Sequence, residues 1–150
     1  MHASAAAHAG AGDAAPANLG MTIKDEPVLL KDYGGKVVVV SFWASWCPYC
    51  LKELPILFNI QKAAKGAVQV VAINTEDDET FDRLAYILRT IEIGMAYDPD
   101  GKARAAFGVK GIPHLAIIGR DGKIVEVFRG YSEASLQPII DAINGAIAAQ

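Results

Sequence analysis

The chain has 150 residues, of which 52% are hydrophobic and 21% charged, and its net charge is −3. A chain of this length can bury one compact core, while its slightly acidic balance offers no basic surface to hold a nucleic-acid backbone. The uninterrupted apolar runs are far shorter than the roughly 20 residues of a membrane-spanning helix. We therefore expect a single soluble domain with no nucleic-acid partner and no membrane span.

Residues 1–20 are rich in alanine and glycine and carry few side chains that could build a core. We predict a flexible tail over residues 1–20 and one folded domain over residues 21–150. The tail lacks the charged start and apolar stretch of a signal peptide, but small residues of this kind often follow a signal cleavage site. Its histidines, His2 and His8, are expected to be solvated and not to bind a metal.

The predicted elements of the first half alternate between strands and helices. The β-branched run Val37–Trp43 predicts a strand that is covered on both faces. A helix should follow over residues 48–65, then a second buried strand at Val68–Asn74. A further helix near residues 80–90 carries apolar side chains along one side.

The second half predicts a hairpin and a closing helix. A turn at residues 98–102 leads into a short helix. Strands at 114–119 and 123–130 are joined by Asp121-Gly122, which is a strong hairpin signal. A last helix should cover residues 133–148. This order of elements predicts an α/β sandwich with a central mixed sheet flanked by helices.

The only two cysteines, Cys47 and Cys50, stand three residues apart at the predicted start of the first long helix. Unpaired N–H groups and the positive end of the helix dipole favour a thiolate there. Pro48 suits the first helical position because it has no N–H to leave unpaired. A disulfide across so short a loop restricts the unfolded chain very little. We therefore predict a redox-active pair and not a structural disulfide.

A metal site is the main alternative for the two cysteines. Zinc usually takes four ligands, and His114 is the only histidine beyond the predicted tail. The pattern therefore predicts no metal. A copper or zinc assembly chaperone that holds metal between Cys47, Cys50 and His114 nevertheless stays open as the second hypothesis.

Three motifs together carry a family resemblance. The chain reads FWASWCPYC at residues 42–50, ELP at 53–55 and GVKGIPHLAIIGRDGKIV at 108–125. This combination resembles the thioredoxin superfamily, and most closely its TlpA/ResA-like branch of exported thiol:disulfide oxidoreductases. The resemblance covers about residues 15–148. It implies a thioredoxin-like fold and disulfide exchange with protein substrates, without a bound cofactor because the cysteine pair carries the electrons.

The resemblance also implies a role for each of three residues. Cys47 attacks a substrate disulfide, Cys50 resolves the mixed disulfide, and Glu53 assists proton transfer at Cys50. Glu53 shares a helical face with Cys50 and Leu57, so we expect its carboxylate to point inward. Ser41 stands on the strand where ordinary thioredoxins carry a buried aspartate.

Pro113 matches the cis-proline of the superfamily, which faces the cysteine pair. A cis bond there turns the backbone of Ile112 outward, where it can pair with an extended substrate. The other expected substrate contacts are Trp46, Pro48 and Tyr49.

His114 departs from the family pattern, because many relatives carry a small hydroxyl residue after the proline. Its imidazole is either a modulator of the thiolate, active near pH 6.5, or a hydrogen-bonded strand residue without a chemical role. A peroxiredoxin-like peroxidase is disfavoured because Ala44 stands where that class has a hydroxyl residue, three before its reactive cysteine.

The resemblance finally implies partners and a location. We expect protein thiols and disulfides as substrates, a membrane-anchored thiol reductant as electron donor, and a periplasmic or other extracytoplasmic setting. The carboxylate near the resolving cysteine favours a reductant, and the chain is expected to be a monomer.

Overall fold

A computed structural model describes residues 9–149 of the chain. His2, His8 and the rest of residues 1–8 lie outside the described residues. The elements in chain order are β1 (Asn18–Met21), β2 (Pro27–Leu29), β3 (Val37–Trp43), α1 (Pro48–Ala63), β4 (Val68–Asn74), α2 (Asp78–Ile87), β5 (Gly94–Tyr97), α3 (Lys102–Phe107), β6 (His114–Ile118), β7 (Ile124–Arg129) and α4 (Glu133–Ala148).

The strands form one mixed sheet in the order β2-β1-β5-β4-β3-β6-β7. The three central strands β3, β4 and β5 run parallel to one another, whereas β6 pairs antiparallel with β3 and β7 antiparallel with β6. The predicted α/β sandwich with a mixed sheet flanked by helices is therefore confirmed. Between residues 9 and 149, none of the helices combines the length and the apolar character needed to cross a bilayer.

Both faces of β3 are covered, as its β-branched sequence predicts. Val39 and Trp43 pack in the core on the side of α1 and α4, while Val40 and Phe42 pack in the core on the side of α3. Because side chains alternate along a strand, one apolar run can supply both cores. Every residue of β3 is buried.

The structure corrects the predicted tail for residues 9–20. Strand β1 lies partly within that segment, and its Leu19 is fully buried. Upstream of β1, the amide of Gly12 donates to the carbonyl of Ile124 at 2.8 Å, and the amide of Ile124 donates to the carbonyl of Asp13 at 2.9 Å. Backbone pairing with a sheet edge needs no large side chains, which is why an alanine- and glycine-rich composition did not reveal it.

Three of the seven strands, β1, β2 and β5, were not predicted. Each has only three or four residues, too few to show the alternation by which a strand is recognised. Strand β5 pairs with β4, and β1 pairs with β5, which lies more than 70 residues further along the chain. Among residues 9–149, strand β2 pairs only with its sequence neighbour β1.

Gly20 offers a test of the β1–β5 contact. Its φ is +95°, and a Cβ built there would lie 2.7 Å from the carbonyl oxygen of Tyr97. Gly12 is a matched control, since its φ is +92° and a Cβ there would meet nothing within 4 Å. Both alanine substitutions strain the backbone, but only Gly20→Ala also forces β1 and β5 apart. We expect Gly20→Ala to lower the free energy of unfolding by about 1–3 kcal/mol more than Gly12→Ala.

Urea unfolding of the two variants measures this difference. Equal losses of stability in both would show that β1 does not press against β5 at this point.

Candidate active site

The two cysteines lie where β3 turns into α1. Cys47 is the N-cap of α1 and Pro48 its first residue, as the sequence predicts. The amide of Cys47 donates to the carbonyl of Ala44 at 3.2 Å, and the amide of Cys50 donates to the sulfur of Cys47, also at 3.2 Å. The sulfur of Cys47 therefore takes the place of a capping oxygen and faces unpaired N–H groups of the first turn.

Cys47 and Cys50 form a disulfide, with their Cα atoms 5.3 Å apart. Cys47 keeps 5% of its surface exposed and Cys50 only 1%. Beside them, Trp46 is 70% exposed and Tyr49 is 55% exposed. Cys47 is therefore the more accessible of the two cysteines, and two exposed aromatic residues flank it in sequence.

The proline loop lies at the same end of the sheet as the cysteines. The Ile112–Pro113 bond is cis, as predicted. Pairing of Phe42 with His114 in the β3–β6 ladder places Pro113, one residue before β6, beside the end of β3. Ile112 packs against the apolar cluster that contains both cysteines. The fold thus brings together two segments that are more than 60 residues apart in sequence.

Glu53 points inward from α1, as expected from its helical face. Its side chain is only 1% exposed. The hydroxyl of Ser41 donates to Oε1 at 3.0 Å, while Oε2 has no hydrogen-bond partner within residues 9–149. Burial raises the pKa of Glu53 to about 7, and the hydrogen bond from Ser41 limits the rise. The carboxyl group can therefore gain or lose a proton near neutral pH.

His114 does not join the cysteines. Its partner across the strands is Phe42, and residues directly opposite each other share one face of a sheet. The ring of His114 lies 6.0 Å from that of Phe42, on the α3 side, whereas both cysteines belong to the core on the α1 side. Burial, and secondarily the charge of Arg129, lowers the pKa of His114 to about 4. Protonation near pH 6.5 is therefore not expected.

This placement disfavours the metal-chaperone hypothesis, which requires His114 to complete a site with the cysteines. The sheet separates the imidazole from both sulfurs. In the described part of the chain, no group of three or more His, Cys, Asp or Glu side chains could hold a metal ion.

A carboxylate that the sequence reasoning missed holds the turn between β3 and α1. Glu76 accepts hydrogen bonds from the amide of Ser45 at 2.8 Å and from its hydroxyl at 2.7 Å. One signal could have found this contact. Residue 76 is the second residue after β4, and parallel neighbours such as β3 and β4 end at the same edge of a sheet.

Comparison with known proteins agrees with this geometry. The model of the family described as Redoxin matches residues 10–143. The chain belongs to the redoxin family. Its relatives include the thiol-disulfide oxidoreductase ResA of Bacillus thuringiensis subsp. konkukian, 26% identical over 79% of this chain and 69% of the relative. The thiol:disulfide interchange protein DsbE of Allochromatium vinosum is 34% identical over 74% of this chain and 64% of the relative.

A solved structure is also similar to this redoxin-family chain. It belongs to a protein of Chlorobium tepidum that is described as a thiol:disulfide interchange protein DsbE. The two share 31% identity with a TM-score of 0.82, over 93% of this chain and 99% of the other. The fold is thioredoxin-like, and the chain is a TlpA/ResA-like member of the thioredoxin superfamily. With its Cys47–Cys50 disulfide, it is a thiol:disulfide oxidoreductase.

Glu53→Gln tests the buried carboxyl group through stability. The pKa of Glu53 is about 7 in the folded protein against 4.5 ordinarily, so the folded state holds a proton that the unfolded state releases between these values. The contribution of Glu53 to the stability of the wild type therefore falls as the pH rises through this window. Glutamine carries no titrating proton and can still accept the bond from Ser41. Relative to the wild type, we expect Glu53→Gln to gain about 3 kcal/mol between pH 4.5 and 7.

Denaturant unfolding of the oxidised proteins across this pH range measures the gain. A constant stability difference between variant and wild type would mean that Glu53 titrates normally.

Proposed function

We propose that this redoxin-family enzyme reduces disulfides in extracytoplasmic proteins, with Cys47 as the attacking cysteine and Cys50 as the resolving one. The observation that carries the assignment is the asymmetry of the pair. Cys47 caps α1 and is the more exposed of the two, whereas Cys50 is buried three residues before Glu53 on the same helical face.

The first step is attack by the Cys47 thiolate on one sulfur of a substrate disulfide. A bond forms between Cys47 and that sulfur while the substrate S–S bond breaks. The other substrate sulfur leaves as a thiolate and takes a proton from solvent. Enzyme and substrate are then joined by a mixed disulfide.

In the second step, Cys50 releases the substrate. Glu53 accepts the thiol proton of Cys50 through Oε2, which has no other partner in the described residues. The Cys50 thiolate attacks the sulfur of Cys47, the mixed disulfide breaks, and the second substrate sulfur leaves as a thiolate. Two electrons have then passed from the enzyme dithiol to the substrate, and Cys47–Cys50 is a disulfide. A base with a pKa of about 7 suits this transfer at neutral pH.

The substrate surface surrounds Cys47. Exposed Trp46, Pro48 and Tyr49 supply apolar contacts, and the backbone of Ile112, next to Pro113, pairs with an extended substrate segment. A cavity of about 850 Å³ opens beside Tyr49, between α1 and the start of α4. These features support a polypeptide partner and not a small thiol.

After each exchange the Cys47–Cys50 disulfide must be reduced again by a second partner. We propose a membrane-anchored thiol reductant as electron donor, a periplasmic or similar extracytoplasmic location, and action as a monomer without a bound cofactor. The similarity to proteins named ResA and DsbE supports this setting. His114 takes no part in the proposed exchange, since it lies in the opposite core.

The direction of exchange predicts a low reduction potential. A buried carboxylate near the sulfurs disfavours thiolate formation, which stabilises the disulfide over the dithiol. Equilibration with glutathione should give a potential closer to that of thioredoxin, about −270 mV, than to the about −120 mV of strongly oxidising relatives. Glu53→Gln should raise the potential. A wild-type value near −120 mV would reject the reductant assignment.

The assignment of the two cysteines predicts opposite trapping behaviour. Cys50→Ser should accumulate mixed disulfides with protein substrates, because the resolving thiol is missing. Cys47→Ser should accumulate none, because the attacking thiol is missing and the remaining one is buried. Non-reducing electrophoresis after incubation with a disulfide-bonded protein measures both. Equal trapping by the two variants would contradict the assignment.

A further inference from the structure

The carboxylate of Glu76, which follows β4, binds the turn between β3 and α1 that precedes Cys47. Both oxygens of Glu76 are used, since Oε1 accepts the amide of Ser45 at 2.8 Å and Oε2 accepts its hydroxyl at 2.7 Å. Ser45 lies in the turn between β3 and α1, two residues before Cys47. The segments that meet here are 31 residues apart in sequence.

Glu76 is itself held in place from β4. The side-chain amide of Asn74 donates to Oε1 at 3.0 Å, and its carbonyl oxygen accepts the amide of Glu76 at 2.8 Å. Asn74 is fully buried. The amide of Thr75 donates to the carbonyl of Trp43 at 3.0 Å, which ties the ends of the two parallel strands together. The carboxylate is therefore a rigid anchor for the turn.

We propose that Glu76 is a positioning residue for Cys47. By fixing Ser45, it holds the turn in the conformation that leaves the sulfur of Cys47 at the N-cap of α1, where it accepts the amide of Cys50. A looser turn lets that sulfur leave the cap and lose the N–H groups that stabilise its thiolate. The inference rests on the proposed attacking role of Cys47.

The negative charge of Glu76 has the opposite effect on the Cys47 thiolate from the positioning of the turn. Partial burial favours the neutral acid, but the hydrogen bonds from Ser45 and Asn74 outweigh it and lower the pKa of Glu76, so the group is ionised. Two residues span at most about 7 Å, which places this negative charge within about 10 Å of the Cys47 amide. It disfavours a thiolate there. The adjoining elements carry further acidic groups, which are Glu53 on α1 and Asp77, Asp78 and Glu79 at the start of α2.

Two substitutions distinguish the effect of the hydrogen bonds between Glu76 and Ser45 from the effect of the negative charge of Glu76. Glu76→Gln removes the charge, yet its amide oxygen can accept the amide of Ser45 while its NH₂ donates to the hydroxyl. Glu76→Ala removes both the charge and the anchor. The readout is the pKa of Cys47, followed by the ultraviolet absorbance of the thiolate in full chains that also carry Cys50→Ser.

We expect Glu76→Gln to lower the pKa of Cys47 by a few tenths of a unit, about twofold in thiolate fraction. Glu76→Ala should give a pKa at least about half a unit above that of Glu76→Gln, about threefold less thiolate. Identical values for the two variants would overturn the proposal. Glu79→Gln, an exposed change in the first turn of α2, is the charge-matched control, and an equal fall there would overturn the assignment to Glu76.

Ser45→Ala covers the case in which Glu76→Ala fails to fold. It removes the hydroxyl bond but keeps the amide bond and the charge, so the pKa of Cys47 should rise above the wild-type value. An unchanged pKa in this variant would overturn the proposal. Thiolate titration needs no protein substrate. It therefore remains informative even if the trapping experiment shows that Cys47 is not the attacking residue.

Discussion

The complete burial of β3 is the constraint on which the active site depends. A strand covered on both faces cannot slip by one residue without exchanging its two cores. Its register is fixed on both sides, by seven paired positions with β4 and five with β6. Both ladders reach its carboxyl end, so the point at which the chain leaves the sheet is fixed as well. Cys47 follows four residues later.

The same sheet separates two buried titratable groups whose pKa values shift in opposite directions for one reason. Burial disfavours the charged form, which raises the pKa of Glu53 to about 7 and lowers that of His114 to about 4. Between pH 4.5 and 6.5, the folded state holds the extra proton of Glu53 but lacks the proton that unfolded His114 binds. As the pH rises, the contribution of Glu53 to the free energy of unfolding falls and the contribution of His114 rises. The two contributions oppose each other in this window, and only Glu53 lies on the side of the cysteines.

Local patterns account for what could be predicted from the sequence. The apolar run of β3, the helix start at Cys47 and Pro48, and the inward face of Glu53 each depend on residues within one or two helical turns. The N-terminal pairing and the Glu76–Ser45 contact each join chain segments that are far apart in sequence. Residues 9–17 are mostly alanine and glycine, and the segment around Glu76 has the composition of a polar loop, so neither composition indicates its partner. The face occupied by His114 was equally inaccessible, because it follows from the register between β3 and β6. Local periodicity indicates that a strand exists but not how it pairs.

Ser41 on β3 affects the pKa of Glu53 on α1 through a hydrogen bond. Burial alone would push the pKa of Glu53 further upward, and the hydrogen bond from the Ser41 hydroxyl brings it back towards neutral pH. A proton acceptor with a much higher pKa would stay protonated, and one with an ordinary pKa would take a thiol proton poorly. Ser41 occupies only Oε1, and Oε2 has no hydrogen-bond partner within residues 9–149. That oxygen is therefore the one available for the proposed transfer from Cys50. A hydroxyl on β3 therefore serves the proposed proton transfer better than a carboxylate, which would place a second negative charge beside Glu53.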